Sequence, residues 1–199
     1  MRIRDYISYS QYSCYKKSKY DYINAYLKGI RQESIYLSFG SKIATGLEFR
    51  NEKSEDKDIL KARELIPLAK IPEKEIKVVW GGIPLLAKMD GFDDEQFIID
   101  EYKTGKNPWT QAKVDSAEQL MFYLIAVSQF YKIEPEKIRI RLHWIETFVQ
   151  ANQYGGEVHL TGQYKVFETK RTNLDVVKFF PELQKVWIGI EETINEYIK

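Results

Sequence analysis

The stretch "QFIIDEYKTGK", residues 96–106, constrains this chain more than any other. Three apolar residues run without a break into Asp100, Glu101, Tyr102 and Lys103, and Gly105 ends the run. A short continuous apolar run bounded by glycine reads as a strand buried on both faces, the centre of a sheet. Charge at the end of such a strand is costly unless it is solvated or paired. The charged residues therefore either lie in solvent or share a ligand. Because side chains alternate along a strand, Glu101 and Lys103 project to one face, Asp100 and Tyr102 to the other.

The sequence around this strand predicts a mixed α/β chain. "ISYSQYSCYKKSKYDYINAYLKGI" opens with Ser8 three residues before Gln11, a capping-box spacing, and carries aromatic residues at helical intervals to Gly29. "YLSFGSKIATGLEFR" predicts a second helix that starts after Gly40, and "NEKSEDKDILKARELIPLAK" a third. "EIKVVW", Gly81-Gly82 and "IPLLAKMDGF" read as a β-hairpin, with Asp93, Asp94 and Glu95 as a charged turn before the central strand. A largely apolar helix follows from Asp115 to Tyr131. In "KIRIRLHWIETFVQ", Ile138, Ile140, Leu142 and Trp144 alternate with Arg139, Arg141 and His143, a strand with one polar face whose arginines are either solvated or near phosphates. "EVHLTGQYKVFETKR" is the last strand. Val176, Phe179, Leu183, Val186, Trp187, Ile190, Ile194 and Tyr197 form the apolar stripe of a closing helix.

These 199 residues suit one domain: a helical part over about 1–70, a sheet core over about 74–170 and a C-terminal helix over about 173–199. Thirty basic and 29 acidic residues nearly cancel, so a nucleic-acid site has to be a local basic surface. The single cysteine, Cys14, makes neither an internal disulfide nor the cysteine cluster of an iron–sulfur centre. No stretch has the length of a signal-peptide core or a membrane span, so a cytoplasmic protein with no membrane partner is expected.

Asp90, in "AKMDGFDDE", ends the strand before the central one, and antiparallel pairing would bring it opposite Glu101. Two carboxylates at one sheet end suit a hard divalent cation, magnesium or manganese, which prefers oxygen ligands and keeps waters and phosphate oxygens in its shell. A lysine beside it can orient a nucleophile and offset negative charge, a combination that serves phosphodiester hydrolysis.

Asp90, then Glu101-Tyr-Lys103, then Gln119 and Tyr123 in "AEQLMFYLIA" resemble the PD-(D/E)XK nuclease superfamily, specifically its RecB-like branch. The first helix is similar to that branch's "S-x-S-x-l" helix, and "FGSKIATGLEF" resembles its "fG-x-x-x-H-x-x-L-E" helix. The resemblance implies a restriction-endonuclease-like α/β fold, a central mixed sheet flanked by helices. It implies Asp90 and Glu101 as metal ligands, Glu48 as an outer ligand or orienter, and Lys103 as the residue assisting the attacking water. Gln119 and Tyr123, one helical turn apart, would contact the substrate strand or the metal's water shell. Ala44 stands where the family has histidine. Glu48 also reads as a surface residue of an amphipathic helix.

Lys106 and Trp109 leave the proposed site in "GKNPWTQAK" and are substrate-contact candidates. The tyrosines and lysines of "YSCYKKSKYDY" either stack bases or divide into core and solvent faces. His143 and His159 read as surface or structural residues. The function implied is a metal-dependent DNA nuclease, foremost an exonuclease, in recombination, repair or mobile-element DNA processing. A homo-oligomer or a repair partner protein is compatible with it. A DNA-binding module that has kept the fold and lost turnover, and an RNA nuclease, are the alternatives.

Overall fold

A computed structural model describes residues 5–30, 33–153 and 156–198. Strand β1 (Ile7–Ser8) leads into helix α1 (Tyr9–Lys17), where the Gln11 side-chain oxygen accepts both the Ser8 N–H (3.0 Å) and the Ser8 hydroxyl (3.1 Å). The expected long first helix is interrupted. Ser18 is extended and its hydroxyl accepts the Asp21 N–H, starting α2 (Lys19–Tyr22), which runs into a π-helical turn over Ile23–Leu27.

Helix α3 (Ile35–Glu48) begins earlier than its glycine suggests. The Ser34 hydroxyl caps it by accepting the Tyr36 N–H, while Gly40 sits inside the helix where it passes Thr104. Asp56 caps α4 (Lys57–Leu65) through the N–H groups of Asp58 and Ile59. The apolar segment expected as one helix from Asp115 is two: α5 (Gln111–Asp115) and α6 (Glu118–Tyr131), broken where Ala117 turns extended. Glu118, in the first turn of α6, accepts hydrogen bonds from Tyr12 and Lys16 and so ties that turn to α1.

A mixed six-stranded sheet is built from β1, β2 (Ile71–Trp80), β3 (Ile83–Asp93), β4 (Ile98–Gly105), β5 (Arg139–Gln150) and β6 (Glu157–Thr169), and α7 (Asn173–Ile198) closes the chain. Gly81 and Gly82, with φ of 57° and 81°, make the two-residue β2–β3 turn that matches strand twist. Strand β2 occupies one edge of β3, so β1 and β4 share the other. The order β1-β3-β4-β5-β6 places β4 centrally. Its ladder with β5 is parallel and runs the full strand, but its ladder with β3 is antiparallel and stops after Gly91 faces Asp100.

The two faces carry separate apolar clusters. On one, α6 is buried from Leu120 to Ser128, filling the layer between the sheet and helices α1 and α7. Phe39, Ile43 and Leu47 of α3 and Ala62 of α4 cover the other, against Ile145, Val158 and Leu160. Tyr12 and Tyr22 are core residues and Lys16 pairs with Glu118, so core and solvent divide the tyrosine–lysine segment there. No helix among the described residues is long and apolar enough to cross a membrane.

Candidate catalytic site

Where β3 and β4 part, a side chain takes over from the ladder. The Tyr102 N–H, facing the gap, donates to Asp90 Oδ2 at 2.6 Å. Gly91 permits the approach: a Cβ there would lie 2.7 Å from the Ala69 Cβ and 2.9 Å from the Tyr102 hydroxyl. Asp90 is thereby fixed beside Glu101, as the antiparallel reading requires.

Glu101 is 2% exposed, and its two oxygens differ. Oε1 is ion-paired with Lys103 and accepts a hydrogen bond from Gln119 Nε2 at 2.8 Å. Oε2 has no hydrogen-bond partner. Gln119 ties the group together, because its oxygen accepts the Lys103 ammonium at 2.9 Å and its amide nitrogen also donates to the Tyr123 hydroxyl at 2.6 Å. Five of the residues singled out in the sequence thus meet in one cluster on the α6 face of the sheet.

The charges of the cluster are coupled. Burial alone would lower the Lys103 pKa, but the Glu101 carboxylate beside it wins and holds it above the ordinary lysine value. Lys103 is therefore a fixed cation near neutral pH rather than a proton acceptor. Burial and the nearby carboxylates hold the Tyr123 phenol well above its usual range, so it stays protonated.

The Asp90 carboxyl is also held well above the usual range, by burial first and by the charge of Glu101 second. A raised carboxyl pKa penalises the folded state as pH rises from the unfolded value, about 4, through the folded one. Asp90→Asn keeps an acceptor for the Tyr102 N–H and removes the charge. It is expected to melt at a higher temperature than the wild type at pH 7–8 in chelator, and to have lost any activity that needs the carboxylate. A lower melting temperature would show that the charge carries no folding penalty.

An orphaned, buried carboxylate oxygen is expensive unless something satisfies it. A hard divalent cation fits the donor set: two carboxylates, with waters and substrate oxygens left to complete the shell, is how magnesium is commonly held. Among the described residues no three His, Cys, Asp or Glu side chains form a metal-holding group. The Lys88 pKa is raised first by its hydrogen bond to Glu73 and only weakly by the charges of Glu48, at the end of α3, and Asp90. The structure does not gather Glu48 with Asp90 and Glu101 into a three-ligand set.

On the opposite face Arg141 is neither simply solvated nor left for phosphate, whereas Arg139 reaches Gln96 at the surface. Arg141 grips Asp100 with two hydrogen bonds, of 2.7 and 2.8 Å, and His143 Nε2 lies 2.9 Å from the same carboxylate. The Tyr164 hydroxyl lies 2.7 Å from His143 Nδ1. His143 is 2% exposed, so this is a buried brace beneath the site. The Arg–x–His alternation put these side chains on one face, but only the β4–β5 register, in which Asp100 faces Arg141, shows what they hold. His159 is structural as well, its Nδ1 3.0 Å from Asp58. Lys106 and Trp109 lie past the end of β4, the lysine exposed and the indole half-buried under Lys113.

No family model and no curated protein matches the sequence. Solved structures match the fold. An exonuclease candidate from Eubacterium rectale aligns with a TM-score of 0.60 and 13% identity over 98% of this chain and 86% of its own. An alkaline exonuclease from Laribacter hongkongensis aligns with a TM-score of 0.52 and 12% identity, over 98% of this chain and 91% of its own. At this identity the likeness is one of fold: a mixed sheet flanked by helices.

Proposed function

We propose that the protein is a metal-dependent DNA nuclease of the PD-(D/E)XK, RecB-like kind. The observation that carries the proposal is the buried, partnerless oxygen of Glu101, a carboxylate whose other oxygen pairs with Lys103 and whose charge acts on Asp90. Two of the solved structures that share the fold are described as exonucleases, which supports the same reading. Asp90 and Glu101 would hold magnesium or manganese, and such a cation supplies Lewis-acid stabilisation of phosphate charge and a water of lowered pKa.

The side chains of the chain do the rest. Lys103, kept cationic by Glu101, orients the attacking water and offsets charge on the scissile phosphate. Gln119 fixes the Lys103 and Glu101 head groups relative to each other, and Tyr123 holds Gln119. Glu48 would serve as an outer orienter rather than as a direct ligand. Lys106 and Trp109 contact the substrate strand. The setting implied is cytoplasmic DNA recombination, repair or mobile-element processing.

The test is cleavage of linear and circular DNA, single-stranded and duplex, and of matched RNA, with magnesium, manganese or chelator. Cation-dependent loss of linear DNA, with circles spared, is expected. Nicked circles would make the enzyme an endonuclease, and preferential loss of RNA would move the substrate class. Binding without cleavage under any metal would replace the proposal by a DNA-binding module that keeps the fold.

A further inference from the structure

Beyond the carboxyl end of β4 lies a cleft of about 410 Å³ that holds Lys106 and Trp109 on its lining. Tyr36 and Phe39 of α3 and the indole of Trp109 supply aromatic surface, and Lys106 and Lys113 stand at its rim. Neither lysine is ion-paired with a carboxylate among the described residues, although Lys113 lies 4.2 Å from the centre of the Trp109 ring. Tyr36 is half exposed. Thr147, from β5, is 3% exposed, lines the cleft, and its hydroxyl has no hydrogen-bond partner.

The backbone delivers Thr147 there by an irregularity. The β5–β6 register shifts between Ile145 and Thr147, and Gly162, at φ 97°, lies among the extra residues on β6. Bulges of this kind re-aim side chains next to functional sites. Gly105, on the cleft wall, is two residues from Lys103. Along a strand that is about 7 Å, close to the rise of two stacked nucleotides at about 3.4 Å each.

We propose that this cleft seats an unstacked nucleobase of the substrate strand, close to the phosphate held at Lys103. The inference rests on the nuclease reading and adds the substrate class: a single strand, or a duplex end frayed to one. Aromatic faces accept any base by stacking, and the lysines neutralise the flanking phosphates. A base-edge donor or acceptor satisfies the Thr147 hydroxyl, which an apolar ligand would leave orphaned. A base paired inside a duplex cannot enter, because its faces are already stacked.

The experiment measures binding of a fluorescein-labelled single-stranded oligonucleotide and of a blunt duplex in chelator, where cleavage is off. Trp109→Ala is expected to weaken single-strand binding by about tenfold or more, the size of one lost base stack, and to leave duplex binding within about twofold. Thr147→Val is nearly isosteric and is expected to weaken single-strand binding while raising the melting temperature, since it removes a buried unsatisfied hydroxyl. Should Trp109→Ala unfold, Trp109→Leu keeps apolar bulk in the packing, removes the aromatic face and serves in its place. Unchanged single-strand affinity in both variants, or equal weakening on duplex, overturns the cleft. Cleavage with metal is scored separately: a wild type that binds through Trp109 and Thr147 without cutting would keep the cleft and sink the nuclease.

Discussion

Lys103→Met is expected to lower the rate of phosphodiester cleavage by about 10²- to 10⁴-fold, the range for losing a positioned charge or proton-handling group. The same change leaves Glu101, 2% exposed, without its ammonium partner. Removing one member of a buried pair is costly because the other charge stays desolvated. The variant should therefore melt lower than wild type in chelator and recover in magnesium if the carboxylates bind it, since a ligand of the native state stabilises it. Lys103→Arg separates the two effects. It restores the charge opposite Glu101, and hence most of the stability, while a planar guanidinium does not reproduce the point charge of an ammonium, so the rate stays low. Cleavage by Lys103→Met within threefold of wild type would remove the residue from the mechanism.

Asp100→Ala is expected to destabilise the fold by about 3 kcal/mol, the low end for breaking a buried ion pair because Arg141 keeps 32% of its side chain exposed. For a chain of this length that is a fall of roughly 6–12 °C in melting temperature. The pH dependence has a definite sign. Burial pushes the Asp100 carboxyl up, but the hydrogen bonds from His143 and Arg141 outweigh it and hold the group below its usual value. A depressed carboxyl stabilises the fold above the unfolded-state pKa, about 4, and that contribution is lost as pH falls through the folded value. Asp100→Ala should therefore flatten the acid limb of the stability profile, whereas Asp100→Asn, which keeps an acceptor, should lose less. Melting of Asp100→Ala within about 1 °C of wild type would sink the brace.

The brace and the cluster lie back to back on β4. Alternation sends Glu101 and Lys103 to the α6 face and Asp100 and Tyr102 to the α3 face, so the strand that presents Glu101 and Lys103 is itself fastened by Arg141 and His143 from behind. A site held on a central strand with packed neighbours loses less precision than one on a loop. Ala44 stands in α3, at the position where the resembled helix carries histidine. Its helix stands on the far side of the sheet from Lys103, among residues that pack with Tyr102.

Much of this was legible in residue order. The pairing of Glu101 with Lys103 on one face, and of Gln119 with Tyr123 one helical turn apart, follows from backbone periods of two and of 3.6, which hold wherever a strand or helix forms. The β2–β3 turn followed from Gly81-Gly82, since only a residue tolerant of positive φ makes it. Helix boundaries were read less well. Gly40 reads as a start signal, but a mid-helix glycine costs only about 1 kcal/mol and Ser34 caps the helix instead. The break before α6 was missed because an apolar run carries no mark of where its axis turns.

What the sequence by itself determined is therefore most of the strands and helices, and the shared faces of Glu101 with Lys103 and of Gln119 with Tyr123, consequences of local backbone geometry. Only the tertiary structure decided that Arg141 and His143 hold Asp100, that among the described residues Glu48 does not join Asp90 and Glu101 in a three-ligand group, and that Thr147, beside a shifted register, lines an aromatic cleft with its buried hydroxyl unpartnered. The pairing of Asp100 with Arg141 joins strands that are distant in the chain, and the shift at Thr147 lies inside a ladder of neighbouring strands; in both, register is set by the packing of the whole sheet, not by any local pattern.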